Sequence, residues 1–193
     1  MDPITTLLVS VCLAVSALVS ATPPTRAPAP AEADPRWTFF TTDQTRYESP
    51  WYTGAHRIMI PFGCTPAPYY SPDPRCENAN GFHHGIDIAM PCGTPLLAAR
   101  PGRVVSAESL GPAYGEHPIL LRSESAGFDL VIGHARQVFV APGDRVRPGQ
   151  EIARASDSAA PDGCHLHFEQ RTVGGGLSSA TSPRALLAPT ARD

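Results

Sequence analysis

From Gly81 onward, no stretch of ordinary helix length is both periodic in its apolar residues and free of glycine or proline. The 193-residue chain carries 22 prolines and 16 glycines. That usage favours short strands joined by turns. Strand-like runs stand at 103–106 (RVVS), 118–121 (PILL), 128–132 (FDLVI) and 138–140 (VFV). Residues 142–152 (PGDRVRPGQEI) read as a tight strand–turn–strand, and 182–187 (SPRALL) as a short closing turn. The expectation is a mainly β domain of antiparallel sheets with few or no helices. At 42% hydrophobic, a chain of this length holds one ordinary core.

Charge excludes several functions. The formal net charge is −3, too weak and of the wrong sign for a general polyanion binder, so no nucleic-acid partner is expected. The chain has no lysine. Schiff-base chemistry, Walker-type phosphate loops and swinging-lysine carriers are therefore excluded.

Taken in order, residues 1–21 read as a secretory signal peptide. An apolar run from Leu7 to Val19 is too short and serine-rich for a membrane span, and Val19-Ser20-Ala21 supplies small residues for cleavage after Ala21. Asp2 stands where a positive n-region is usual, so an uncleaved anchor is the alternative. Residues 22–35 form a Pro/Ala-rich linker too poor in large apolar residues to offset its ordering entropy. Residues 36–57 are an aromatic-rich N-terminal extension whose rings suit core packing. The main domain is placed at 58–187, with a tail at 188–193. Beyond the signal the cysteines are Cys64, Cys76, Cys92 and Cys164, an even count that suggests disulfides in an exported chain. Cys64 and Cys76 bracket a proline-rich loop that a bond would staple. Cys92 and Cys164 would then pair across strands or stay free.

Three elements carry candidate chemistry. In 164–169 (CHLHFE), strand alternation sends Leu166 and Phe168 to a core and His165, His167 and Glu169 to the other face. In 82–90 (FHHGIDIAM), alternation groups His84 with Ile86, Ile88 and Met90, and His83 with Asp87. The second pair are the functional candidates. Four residues of straight strand span about 13 Å, too far for one ion, so the chain must bend near Gly85, with His83 arriving from the preceding loop. His134 has apolar neighbours on both sides, and periodicity does not decide its direction.

Together and in this order, these elements resemble the LytM/lysostaphin-type zinc endopeptidases that cut peptidoglycan (peptidase family M23, duplicated hybrid motif fold). The family's His-x-x-x-Asp matches His83 and Asp87, its central histidine His134, and its His-x-His His165 and His167. Its spacers match residues 91–105 (PCGTPLLAARPGRVV) and 140–152 (VAPGDRVRPGQEI). The likeness covers roughly residues 58–187. It implies antiparallel sheets forming a groove, with one Zn²⁺ per chain held by His83, Asp87 and His167. It also implies His134 and His165 beside the metal as acid, base or oxyanion partner. Two imidazoles and a carboxylate suit zinc and leave a fourth position for water. The implied activity is hydrolysis of peptide bonds in peptidoglycan stems or cross-bridges by a secreted or cell-envelope monomer. The alternative is a non-enzymatic wall-binding or hydrolase-activating module of the same fold. Glu169 is expected to support a ligand or face solvent, and Tyr69 or Tyr70 to approach the metal. His56, His84 and His117 are expected to be structural or surface residues.

Overall fold

The computed structural model describes residues 33–192. The expected signal peptide and most of the linker lie outside them. Among the described residues no helix is long and apolar enough to cross a membrane.

The strands are β1 (Arg46–Ser49), β2 (Tyr52–Ile60), β3 (Gly63–Thr65), β4 (Gly81–His83), β5 (Ile86–Ala89), β6 (Pro95–Leu97) and β7 (Gly102–Val105). They continue as β8 (Ile119–Ser123), β9 (Phe128–Gly133), β10 (Ala135–Arg136), β11 (Arg145–Val146), β12 (Glu151–Ala155), β13 (His165–Thr172) and β14 (Thr190–Arg192). One α-helical turn, α1 (Arg184–Leu187), stands where the closing turn is expected. The fold is mainly β. Twelve strands form one curled antiparallel sheet whose central path runs β10-β12-β6-β2-β5-β13-β9-β8-β7-β11, and β3 and β4 form a separate pair.

Strand β13 lies in the middle of that path because its alternation suits burial on both sides. Leu166 and Phe168 enter the core with Ile86, Ile88, Leu130 and Ile132, all at most 2% exposed. Trp51 packs its ring edge-on to Phe168, with centroids 5.2 Å apart. The opposite face of β13 carries His165, His167, Glu169 and Arg171, also buried.

Two strand expectations need correction. Residues 138–140 join no ladder. Gln137 takes a left-handed backbone (φ 47°), which turns the chain out of β10 and leaves Phe139 53% exposed. Residues 142–152 do contain two strands, β11 and β12, but these do not pair with each other. β11 pairs with β7 and β12 with β6 and β10, at opposite ends of the strand order. The linker between them is tied to Ala98, whose carbonyl accepts from Gly149 and whose amide donates to Gln150. The curl thus brings the two ends of the sheet together, and each strand finds an open edge more readily than its sequence neighbour.

Cys64 is bonded to Cys76, as expected, and Cys92 is bonded to Cys164, the paired one of its two alternatives. The first closes the proline-rich loop between β3 and β4. The second ties the turn after β5 to the residue preceding β13. Denatured, unreduced full-length protein should therefore titrate no more than the single thiol of Cys12. Two or more reactive thiols would contradict the pairing.

Candidate active site

His83 and Asp87 are brought together by the bend expected at Gly85. β4 ends at His83, the chain turns through His84 and Gly85, and β5 begins at Ile86. His83 is thus the last residue of a strand, not part of a loop. The turn also breaks the alternation that would have buried His84. That imidazole lies half-buried against the Phe82 ring, with Nε2 3.1 Å from Arg75. Gly85 is required by close approach. A Cβ there would stand 2.7 Å from Cε1 of His167 and 2.9 Å from the Phe168 carbonyl oxygen. Gly133, directly opposite His167 on β9, makes similar room, since a Cβ there would lie 3.1 Å from that of His167.

His167 faces Asp87 across the β5–β13 ladder. Its Nδ1 is 2.8 Å from Asp87 Oδ1 and 3.2 Å from His83 Nε2. His83 Nε2 is 3.3 Å from the same carboxylate oxygen. Each ring's other nitrogen has a partner of its own. His83 Nδ1 donates to the Pro61 carbonyl at 3.2 Å, and His167 Nε2 faces Glu169 Oε2 at 3.2 Å. Neutral imidazoles in these tautomers aim three lone pairs at one point. Only a positive charge resolves that, either a proton on His167 Nδ1 or a metal cation. Two of the three spacings, 3.2 and 3.3 Å, match the roughly 3.3 Å edge of a tetrahedron with bonds of about 2.0–2.1 Å, and the third, at 2.8 Å, is shorter. The residues present therefore suit a zinc-sized ion with nitrogen and oxygen donors.

The electrostatics agree. Burial would raise the Asp87 pKa, but the surrounding histidines hold it well below the usual carboxylate range. Burial would lower that of His167, but Asp87 and Glu169 on either side push it up to about 9. The spot favours positive charge.

His134 and His165 lie beside this group, their rings 4.3 Å apart. Nδ1 of His134 donates to the Ser158 carbonyl at 2.7 Å, and Nδ1 of His165 to that of Gly163 at 2.9 Å. Both Nε2 atoms are therefore bare. That of His165 is buried with no hydrogen-bond partner, 3.7 Å from Asp87 Oδ1. Burial, then the neighbouring imidazoles, pushes His134 down to about 3, so this ring is neutral near pH 7. His134 itself sits in the left-handed region (φ 55°). Its amide donates to Tyr114 O, and its carbonyl accepts from Ser156 N and Oγ, each at 2.8 Å. A non-glycine residue held this way is a costly local choice of the kind found at working sites.

All five expected site residues thus converge. Sequence reasoning missed the surroundings. Glu169 is fully buried rather than solvent-facing, bonded to Arg171 Nε and, at 2.9 Å, accepting from the Tyr114 hydroxyl. Arg171 also donates to that hydroxyl at 2.7 Å. Alternation had put Glu169 on the imidazole face, and two residues further along β13 the same face carries Arg171, but nothing in the sequence marks Tyr114. Of the two tyrosines considered, Tyr70 reaches the site, its hydroxyl 3.4 Å from Asp87 Oδ2, while Tyr69 is 42% exposed. The cleft above the group has a volume of about 450 Å³, with Tyr69, Tyr70, Tyr114 and Leu177 among its walls. None of its lining residues comes from 33–57. The segment at 34–37 instead pins the entry to β13. Asp34 accepts from the Cys164 amide at 3.0 Å, and Trp37 Nε1 donates to the Cys164 carbonyl at 2.6 Å. Asp34, expected at the end of the linker, is thus bonded to the domain.

The model of peptidase family M23 matches residues 81–179, and the chain belongs to that family of metallopeptidases. Among curated proteins it is 39% identical over 100 residues to a lipoprotein NlpD/LppB homolog of Pseudomonas aeruginosa, covering 52% of this chain and 33% of the relative. It is 30% identical over 118 residues to glycyl-glycine endopeptidase ALE-1 of Staphylococcus capitis, covering 61% and 32%. The chain thus spans about a third of the length of these relatives. Among solved structures it is similar to the catalytic domain of the antimicrobial peptidase lysostaphin from Staphylococcus simulans. That match has a TM-score of 0.56 and 26% identity, covering 69% of this chain and 92% of that one. LytU gives a TM-score of 0.55 at 29% identity, covering 70% and 86%.

Gly85→Ala tests the close packing around His167. Overpacking there should destabilise the fold by about 1–3 kcal/mol in denaturant unfolding. An unchanged midpoint would mean that Gly85 is not needed for His167 to sit where it does.

Proposed function

We propose that this protein is an exported zinc endopeptidase that hydrolyses peptide bonds in peptidoglycan stem peptides or cross-bridges. The observation that carries the reading is the convergence of His83 Nε2, Asp87 Oδ1 and His167 Nδ1 at 2.8–3.3 Å beside two imidazoles with bare Nε2 atoms. Family membership and the likeness to the catalytic domain of lysostaphin support it. Export is supported by the two disulfides and by relatives named as lipoproteins.

His83, Asp87 and His167 would hold the ion. When bound, Zn²⁺ lowers the pKa of a water toward about 7 and polarises a peptide carbonyl. The protein supplies the proton handling. His134 and His165, each fixed by a backbone carbonyl at Nδ1, present Nε2 as acceptor or, once protonated, as donor. One receives the proton of the attacking water at Nε2 and, so protonated, returns it to the leaving amine; the other can donate to the developing oxyanion only after taking up a proton from solvent. Glu169 orients His167 by accepting from Nε2–H, which keeps Nδ1 free to face Asp87. Burial of all these groups keeps their mutual interactions strong.

Elemental analysis should find one zinc per chain. His167→Ala should lose it and lower release of soluble wall fragments by about 10³-fold or more. Full activity after exhaustive chelation would overturn the enzymatic reading, and binding to the wall without release by the wild-type protein would favour the non-enzymatic module. Glu169→Gln should weaken zinc binding by roughly ten- to hundredfold in competition with a chelating dye. Unchanged affinity would remove Glu169 from the ligand-orienting role.

A further inference from the structure

Three arginines stand directly opposite one another on adjacent strands at one end of the sheet. Arg145 on β11 faces Arg103 on β7, and Arg103 faces Arg122 on β8. Like charges in directly opposed positions are destabilising. Arg122 is compensated by the buried Asp129, at 2.8 and 2.7 Å. Among the described residues Arg103 and Arg145 form no ion pair and no side-chain hydrogen bond, and both are exposed. The arginines border a depression of about 380 Å³ whose lining includes Ser123, Ser125 and one carboxylate, Glu124. A charge on an edge strand guards against stray pairing. That accounts for Arg145, because β11 is an edge, but not for Arg103 or Arg122, which lie inside the sheet.

The row continues toward the proposed metal site. Arg122 faces Asp129, and Asp129 faces Arg171 on β13. Arg171, Glu169 and His167 alternate along β13, so the arginines share the pleat face of the site. Along the sheet, Arg171 is about 13 Å from His167, and β8 to β11 lie a further 10–19 Å across, roughly. An extended polymer of about five to seven residues covers that distance at some 3.3 Å each. The cleft itself offers a bound anion little. Its wall includes Asp73 and Glu169, and the nearby Arg75 is held by Asp73 at 2.7 Å.

We infer that Arg103 and Arg145, beside the Asp129-held Arg122, form a secondary binding site for carboxylate groups of the wall polymer, engaged while a neighbouring peptide occupies the cleft. The inference rests on peptidoglycan being the substrate. Unpaired guanidinium groups on adjacent strands, whose backbones lie about 4.8 Å apart, suit carboxylates carried along an extended chain. Arginine binds each carboxylate through paired N–H groups.

The test is co-sedimentation of the full chain with purified wall sacculi, in a His167→Ala background so that the wall stays intact. The double substitution Arg103→Gln and Arg145→Gln should weaken binding about tenfold at low salt, and Arg103→Lys with Arg145→Lys should retain most of it. Amidating the wall carboxylates should weaken the parent chain to the level of the glutamine double variant. Equal binding by parent and glutamine variant overturns the proposal, as does a parent chain that binds no sacculi. Loss of binding on removal of phosphodiester polymers, with amidation without effect, overturns the carboxylate assignment. Hydrolysis of soluble muropeptides by the wild-type chain is read separately, so a failed enzyme and a failed secondary site give different results.

Discussion

The antiparallel register between β5 and β13 is the constraint on which the site depends. It sets Asp87 opposite His167 and Ala89 opposite His165. A slip by one residue would send both histidines into the core and Leu166 and Phe168 into the cleft. That outcome is prevented because, where the two strands pair, their core face consists of Ile86, Ile88, Leu166 and Phe168, all apolar and buried. Burial of those four side chains, at about 1.5–3 kcal/mol each, therefore fixes the chemistry on the reverse face.

Strand register alone does not complete the group. His83 arrives from the small β3–β4 pair, held by the Pro61 carbonyl and by the loop that Cys64 and Cys76 close. His165 is oriented from the loop before β13, whose last residue is fixed three ways: by the disulfide to Cys92, by Asp34 and by Trp37. His134 depends on a left-handed residue stitched to Tyr114 and Ser156. Backbone carbonyls of 61, 158 and 163 select the tautomer of three of the four imidazoles, and the Glu169 carboxylate serves the fourth. The orientation of the four imidazoles is thus set largely by main-chain groups.

This division explains what could be read from the sequence. The fold class follows from turn density, and the need for a bend at Gly85 follows from strand geometry alone. The five site residues followed from ordered motifs and their resemblance to one family. Val138–Val140 failed as a strand because a left-handed Gln137, which no periodicity reports, precedes it. The 142–152 segment failed as a hairpin because strand pairing depends on which edges the curl leaves open. The sequence does not decide between a Glu169 that supports a ligand and one that faces solvent, because alternation gives a face, not what covers it. Tyr114 and the loop around it come from more than fifty residues away in the chain.

The central claim is that one metal ion joins the two ends of the site. Anomalous diffraction from crystals of the full chain, collected on both sides of the zinc absorption edge, tests it most directly. The account predicts one peak, bonded to Nε2 of His83, a carboxylate oxygen of Asp87 and Nδ1 of His167, with His134 and His165 unbonded to it. A peak ligated instead by His134 and His165, or crystals soaked in zinc with no peak at Asp87, would contradict it.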